Sequence, residues 1–333
     1  MTGTLDRLGA ALGSLVERDR ALGPLTTYRV GGRASLFVEP PDEDALRAVA
    51  RAVAAGAPDG APPVLVVGRG SNLLVSDAGF AGLAIRLGSG FSEVTLEDGS
   101  ALDGSALDGG LAEGSSGEVI VSAGGAVDLP SLARRTVAAG LTGMEWAVGV
   151  PGSVGGAVRM NAGGHGSAMA DVIVRCCIVS LADGSARSAA ASDLALSYRH
   201  SSLAATDVVV SADLRLRRGD PEEGRAAIAA VVRWRRQHQP GGSNAGSVFT
   251  NPPGDSAGRV IDACGLKGYR IGSAAVSTKH ANFIQCDDGG SADDVARLIT
   301  SVCERVAAQT GIRLVPEVRM VGFSPAVTPE VVG

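Results

Sequence analysis

A glycine-rich run in the middle of the chain limits what it can fold into more than any other feature. Gly149-Val150-Pro151-Gly152-Ser153-Val154-Gly155-Gly156-Ala157 is followed closely by Asn161-Ala162-Gly163-Gly164, too long a stretch for a simple turn. Proline fixes the backbone, and glycine leaves it bare of side chains. A stiff, bare backbone surface suits a diphosphate and the edge of a planar ring. A glycine-rich packing joint is the alternative. Glycine accounts for 47 of the 333 residues and aromatics for 3%, against a glycine average of roughly 7%. That balance predicts close backbone approaches, as a protein wrapping an extended ligand needs.

A second, weaker signal is Gly68-Arg69-Gly70-Ser71-Asn72, directly after the apolar run Pro63–Gly68. Amides in such a turn point together at an anion, although an ordinary turn fits equally well. A dinucleotide fingerprint of the Rossmann type would require glycine at position 73, where Leu73 stands.

Periodicity places regular elements around these loops. Asp42 to Gly56 reads as a helix with Asp42 as N-cap and Leu46, Val49 and Val53 on one face. Pro130 and Gly140 bracket another. Asp220, Pro221 and Glu223 start a long helix toward His238, which Gln239–Gly242 stops. Further helices are expected from near Asp255 to Gly265 and from Ser291 to Gly311. Strands are expected at 63–68, 118–125, 172–181, 207–217 and 313–322, with a second apolar stretch ending in AIRL at 84–87. Residues 98–117, with their repeated DGSAL, read as a mobile surface loop without chemistry. The main boundary falls near residue 218, between a strand-rich first part and a smaller α+β second part.

A formal net charge of −5 argues against a general nucleic-acid or anionic-membrane binder, so any anionic ligand must be held by local donors. Charges interrupt the apolar run of the first 20 residues, which reads as neither a signal peptide nor a spanning helix. A cytoplasmic protein is expected, and a monomer. Cys176, Cys177, Cys264, Cys286 and Cys303 are odd in number and lack CxxC spacing, so reduced thiols are expected. Four scattered histidines without HExxH speak against a metal site.

Six segments, GRGSNLL, GMEWAVGVPGSVGGAVRMNAG, LSYRHS, NAGSVFTNP, VSTKHANF and PEVRMVG, occur in the order seen in UDP-N-acetylenolpyruvoylglucosamine reductases. The chain resembles that family from about Thr26 to Gly322. The resemblance implies an α+β fold: a vanillyl-alcohol-oxidase/PCMH-type FAD-binding fold of two lobes, with a smaller α+β substrate-binding domain. It implies lobes at 1–85 and 86–218, a substrate domain at 219–318 and a C-terminal return segment at 319–333. Only 48 positions separate Arg199 from Ser247, which resembles the family's second type, lacking an inserted tyrosine-bearing loop. The implied activity is NADPH-dependent, FAD-mediated reduction of the enolpyruvyl group of UDP-N-acetylglucosamine enolpyruvate to UDP-N-acetylmuramate, in peptidoglycan synthesis.

By the same resemblance, FAD contacts are expected from Gly68, Gly70, Ser71, Asn72, Gly124, Gly149, Val150, Pro151, Gly152, Ser153, Gly155, Gly156 and Ala157. Arg199, Ser247 and Glu317 match the family's catalytic positions. The chemistry needs a donor clamp where charge grows toward the substrate carboxylate, and a placed proton donor. Arg199 offers a planar fork for that carboxylate. Glu317 would stabilise the enolate-like intermediate, donating a hydrogen bond if burial keeps it protonated. Ser247 would deliver the proton. The bland alternatives are a surface ion pair for Arg199, a strand-end pair with Arg319 for Glu317 and a turn hydroxyl for Ser247.

Tyr198, His238 and Asn251 complete the expected substrate contacts, and Arg233, Arg235 and Arg236 either face the diphosphate or line a solvated helix face. Three positions depart from the family pattern. His238 stands where many members carry a lysine, Thr250 replaces a common lysine and His165 a common tyrosine. With histidine at 238, diphosphate binding becomes sensitive to pH. Two other readings compete. An FAD-dependent sugar or alcohol oxidase of the same superfamily has no use for Arg199, Ser247 and Glu317 together. A non-catalytic nucleotide-sugar-binding paralogue has no need to keep them.

Overall fold

The computed structural model describes residues 2–56, 62–96 and 117–324. The loop expected at 98–117 lies, apart from Gly117, outside the described residues. Seven helices are described: α1 (Thr2–Leu12), α2 (Glu43–Ala55), α3 (Leu129–Ala138), α4 (Val154–Met160), α5 (Pro221–His238), α6 (Ala257–Ala263) and α7 (Ala292–Thr310). None of them is long and apolar enough to cross a membrane.

Short polar side chains start these helices by accepting otherwise orphaned amides. The Asp42 carboxylate accepts from Ala45 N at 2.9 Å, which starts α2. Asp128 accepts from Ser131 N at 3.1 Å to start α3, and Asp220 accepts from Glu222 N at 2.8 Å at the head of α5. Ser256 and Ser291 do the same for α6 and α7. Gly311, at φ +75°, closes α7 in the left-handed conformation that a side chain would resist.

The described residues group into two compact, interleaved units. Unit one takes in those within Met1–Val16, Val38–Arg69 and Ile85–Arg235, and unit two those within Glu17–Phe37, Gly70–Ala84 and Arg236–Gly333. Unit one is built on an antiparallel sheet in the order Ala186–Ala190, Ile173–Ser180, Asp207–Arg218, Glu118–Gly124, Val94–Leu96, with Leu141–Thr142 against the far end of Asp207–Arg218. Alternation along Asp207–Arg218 turns Leu214 and Leu216 into a core with Leu129, Leu132 and Trp146. In unit two, the meander Arg270–Ile271, Ala274–Val276, Ile284–Cys286 shares a core with Leu298, Ile299 and Val302 of α7. Arg319–Val321 adds a short strand parallel to Leu73–Val75.

Two expectations change. The glycine run is not loop throughout, because Val154–Met160 forms α4. Gly155 and Gly156 are poor helix formers, but Ser153 caps the first turn by accepting from Gly156 N at 3.3 Å. The Gly155 amide reaches Gly125 O at 2.9 Å, an approach a side chain would crowd. The strand expected over 313–322 is confined to Arg319–Val321, and Pro316, which has no amide to donate, makes only an isolated bridge with Phe249.

Gly70 carries the clearest steric demand. Its φ is +61°, and an added Cβ would collide with the Leu25 carbonyl oxygen and lie 2.6 Å from Thr26 Cα. Left-handed strain and overpacking together cost about 2–6 kcal/mol. Gly70→Ala is therefore expected to lower the denaturation midpoint sharply in protein stripped of cofactor. An unchanged midpoint would contradict this packing.

Candidate active site

Of the expected cofactor residues of unit one, Gly68, Gly152 and Ser153 lie side by side. A Cβ on Gly68 would lie 2.6 Å from the Ser153 hydroxyl, so the ends of the two glycine loops touch. Asp128 and Ser153 form a β-bridge, with Leu129 N donating to Gly152 O and Val154 N to Val127 O, both at 2.9 Å. Arg69 lies 3.5 Å from the Asp128 carboxylate. Among the described residues, the amides of Gly68, Arg69, Gly152 and Ser153 donate to no protein acceptor. Four uncommitted amides beside a bare backbone fit a diphosphate-bearing cofactor.

Other candidates are placed differently. Gly124 presents its bare face to the Phe91 carbonyl, and that close packing alone accounts for glycine there. Ala157 is buried within α4, Val150 packs against the core of unit one and Pro151 is exposed. Gly149 backs onto the His165 ring, 3.0 Å from where a Cβ would stand. His165 also meets Trp234 edge-on at 5.1 Å, and burial together with the nearby Arg235 charge lowers its pKa. Gly70, Ser71 and Asn72 belong to unit two. There the Asn72 side chain donates to Glu317 O at 3.0 Å and its carbonyl accepts from Arg319 N at 3.0 Å.

Arg199 stands at the tip of a tight turn in unit one, closed by a bridge between Ser197 and His200. Its φ of +57° is a left-handed backbone that a residue with a side chain adopts at a cost. The guanidinium donates to Gly163 O at 3.0 Å and lies 5.2 Å from the Tyr198 ring centroid. Tyr198 is 59% exposed.

In unit two, the segment that follows Ser247 is bonded through its backbone to the segment that carries Glu317. Glu317 N donates to Val248 O at 2.7 Å and Thr250 N to Val315 O at 2.9 Å. Asn282, 4% exposed, locks the other side of the loop. It accepts from Phe249 N at 2.9 Å, donates to Phe249 O at 2.8 Å and offers its carbonyl to Val248 N at 2.9 Å. The Ser247 hydroxyl, by contrast, has no protein partner among the described residues. A half-buried hydroxyl left uncommitted on a fully bonded loop is available to a ligand.

Of the remaining substrate candidates, Asn251, His238, Arg233 and Arg236 are exposed and Arg235 is half-buried. Asn251 accepts from Ala257 N at 3.1 Å, so its side-chain oxygen steadies the start of α6. His238 ends α5, where Lys279 donates to Arg236 O at 2.6 Å. Sequence reading passed over Asn282 although the segment VSTKHANF was noted. An asparagine amid apolar neighbours was the available signal, because buried amides are kept for the hydrogen bonds they make.

The class this fold and cradle define is an FAD-binding protein of mixed helices and strands, and residues 34–190 match the FAD binding domain family. Residues 237–321 match the UDP-N-acetylenolpyruvoylglucosamine reductase C-terminal domain. The UDP-N-acetylenolpyruvoylglucosamine reductase of Rubrobacter xylanophilus is 41% identical over 323 residues, covering 96% of this chain and 98% of its own. That of Heliobacterium modesticaldum is 42% identical over 302 residues, covering 90% and 88%. The crystal structure of the Thermus caldophilus enzyme, at 33% identity, superposes with a TM-score of 0.73 over 92% of this chain and 98% of its own. The chain belongs to the UDP-N-acetylenolpyruvoylglucosamine reductase family. The fold class and family expected from the sequence are thus the ones found.

Proposed function

We propose that the protein reduces the enolpyruvyl group of UDP-N-acetylglucosamine enolpyruvate to give UDP-N-acetylmuramate, with FAD as cofactor and NADPH as reductant, as a cytoplasmic monomer serving peptidoglycan synthesis. The names of its relatives support the reaction. The observation that carries it is the uncommitted Ser247 hydroxyl on a loop bonded to the Glu317 backbone. The partition into FAD-binding lobes at 1–85 and 86–218 and a substrate domain at 219–318 is part of the same reading.

When bound, FAD would supply a hydride for the terminal alkene carbon. The amides of Gly68, Arg69, Gly152 and Ser153 would hold its diphosphate, and the Gly149–Pro151 backbone would line its ring. Arg199 donates two parallel hydrogen bonds to the substrate carboxylate, where negative charge develops. Glu317 stabilises the enolate-like species. Ser247 Oγ gives its proton to the carbon next to the carboxylate, which completes the saturated lactyl ether. A serine is a weak acid in water, so this role depends on placement beside a strongly basic carbon.

Under anaerobic conditions the purified yellow protein is expected to oxidise NADPH only when the enolpyruvyl UDP-sugar is added. Oxidation that needs oxygen and ignores the sugar would overturn the reading. His238 gives a second check. If its ring contacts the diphosphate, His238→Ala raises the substrate KM with kcat little changed. An unchanged KM would remove His238 from the substrate site.

A further inference from the structure

We infer that Asn161 is a positioning residue for Arg199, setting the direction of its guanidinium from the C-terminal end of α4. The inference rests on the assignment of Arg199 as the carboxylate clamp.

Three bonds tie the end of α4 and the residues after it to the turn that carries Arg199. Ser201 Oγ donates to Arg159 O at 2.6 Å, and Arg159 Nη1 lies 3.4 Å from Ser201 Oγ in return. Asn161 Nδ2 donates to Ser197 O at 2.8 Å. Arg199 Nη2 donates to Gly163 O at 3.0 Å. Positions 159, 161 and 163 thus hold 201, 197 and 199, and the left-handed tip at Arg199 is fixed on both flanks and at its side chain.

Asn161 is the member whose chemistry is least replaceable. It is 6% exposed, and at φ +41° it ends α4 in the left-handed conformation that asparagine tolerates better than most residues. Its oxygen accepts from Ala170 N at 2.9 Å while its nitrogen serves Ser197. Both ends of the amide are committed, one as acceptor and one as donor. Aspartate would keep the first bond but set an oxygen against the Ser197 carbonyl. Glycine would keep the backbone turn and lose both bonds. The first turn of α4, seven residues in all, is capped by Ser153 of the glycine cradle, so one short helix ties the cofactor cradle to the turn that aims Arg199.

The test uses full-length, FAD-loaded protein with Asn161→Asp and Asn161→Gly. A misplacement of about 1 Å costs roughly 100-fold, so flavin reoxidation by the enolpyruvyl UDP-sugar is expected to slow about 10- to 100-fold. Flavin reduction by NADPH stays within about twofold, as befits an effect confined to Arg199. In an Arg199→Ala background, Asn161→Asp should add less than about twofold, because it acts through the missing side chain. A readout independent of turnover is hydrogen exchange across Ser197–His200, expected to quicken about 10-fold in both variants, joined by the Ala170 amide only in Asn161→Gly, with the rest of the chain unchanged. Full additivity with Arg199→Ala, equal loss in both half-reactions, or unchanged exchange in that turn would each overturn the inference. Failure of the wild type to turn over the sugar would overturn the proposed function instead, leaving the exchange measurement to decide on Asn161.

Discussion

Ser247→Ala is expected to leave flavin reduction by NADPH within about twofold of wild type and to slow reoxidation by the enolpyruvyl UDP-sugar by about 10²- to 10⁴-fold, the range for a placed proton donor. The structure makes this a clean substitution. The Ser247 hydroxyl bonds to no protein group among the described residues, and its loop is held by Asn282 and by the Glu317 amide through backbone atoms that the change leaves in place. Stability should therefore scarcely move, and the lost rate reports the missing proton alone. Rapid-mixing spectroscopy of the flavin separates the two half-reactions. An equal fall in both would remove Ser247 from the protonation step.

Arg199→Ala is expected to cost about 10²- to 10³-fold in the same oxidative half-reaction, comparable with the loss of a donor aimed at developing charge, and to raise the KM for the enolpyruvyl substrate. Arg199→Lys should recover only part of this, since an ammonium lacks the planar fork that meets a carboxylate with two bonds. The strained φ of +57° and the bond to Gly163 O indicate that the chain holds this side chain in one orientation. Reduction by NADPH again serves as the internal control. Full activity in Arg199→Lys would show that charge alone matters and that the turn geometry does not.

Helix ends were the most legible part of the fold. Asp42, Pro130, Asp220, Ser291 and Gly311 each act locally, through a single amide or a single φ, so their positions in the sequence translate directly into structure. Helix α4 was hidden because two of its seven residues are glycines, and what stabilises it is a distant partner, the Gly125 carbonyl. The expected 313–322 strand shrank because its pairing depends on Leu73–Val75, far away in the chain. At the site, residue types that carry chemistry were readable from their motifs, whereas the residues that hold them were not. Asn161 and Asn282 matter for bonds to Ser197 and Phe249, and a local pattern can mark such an asparagine without naming a partner about thirty positions away. Asn72 shows the converse, since a residue expected at the cofactor spends its side-chain nitrogen on the Glu317 carbonyl.

The central claim is that this chain passes electrons from NADPH through bound FAD to an enolpyruvyl alkene. Anaerobic mixing of the holoprotein with NADPH should bleach the flavin, and a second addition of UDP-N-acetylglucosamine enolpyruvate should restore its colour with one equivalent of saturated product formed. A flavin that stays bleached in the presence of the sugar, and regains its colour only when oxygen is admitted, would contradict the account.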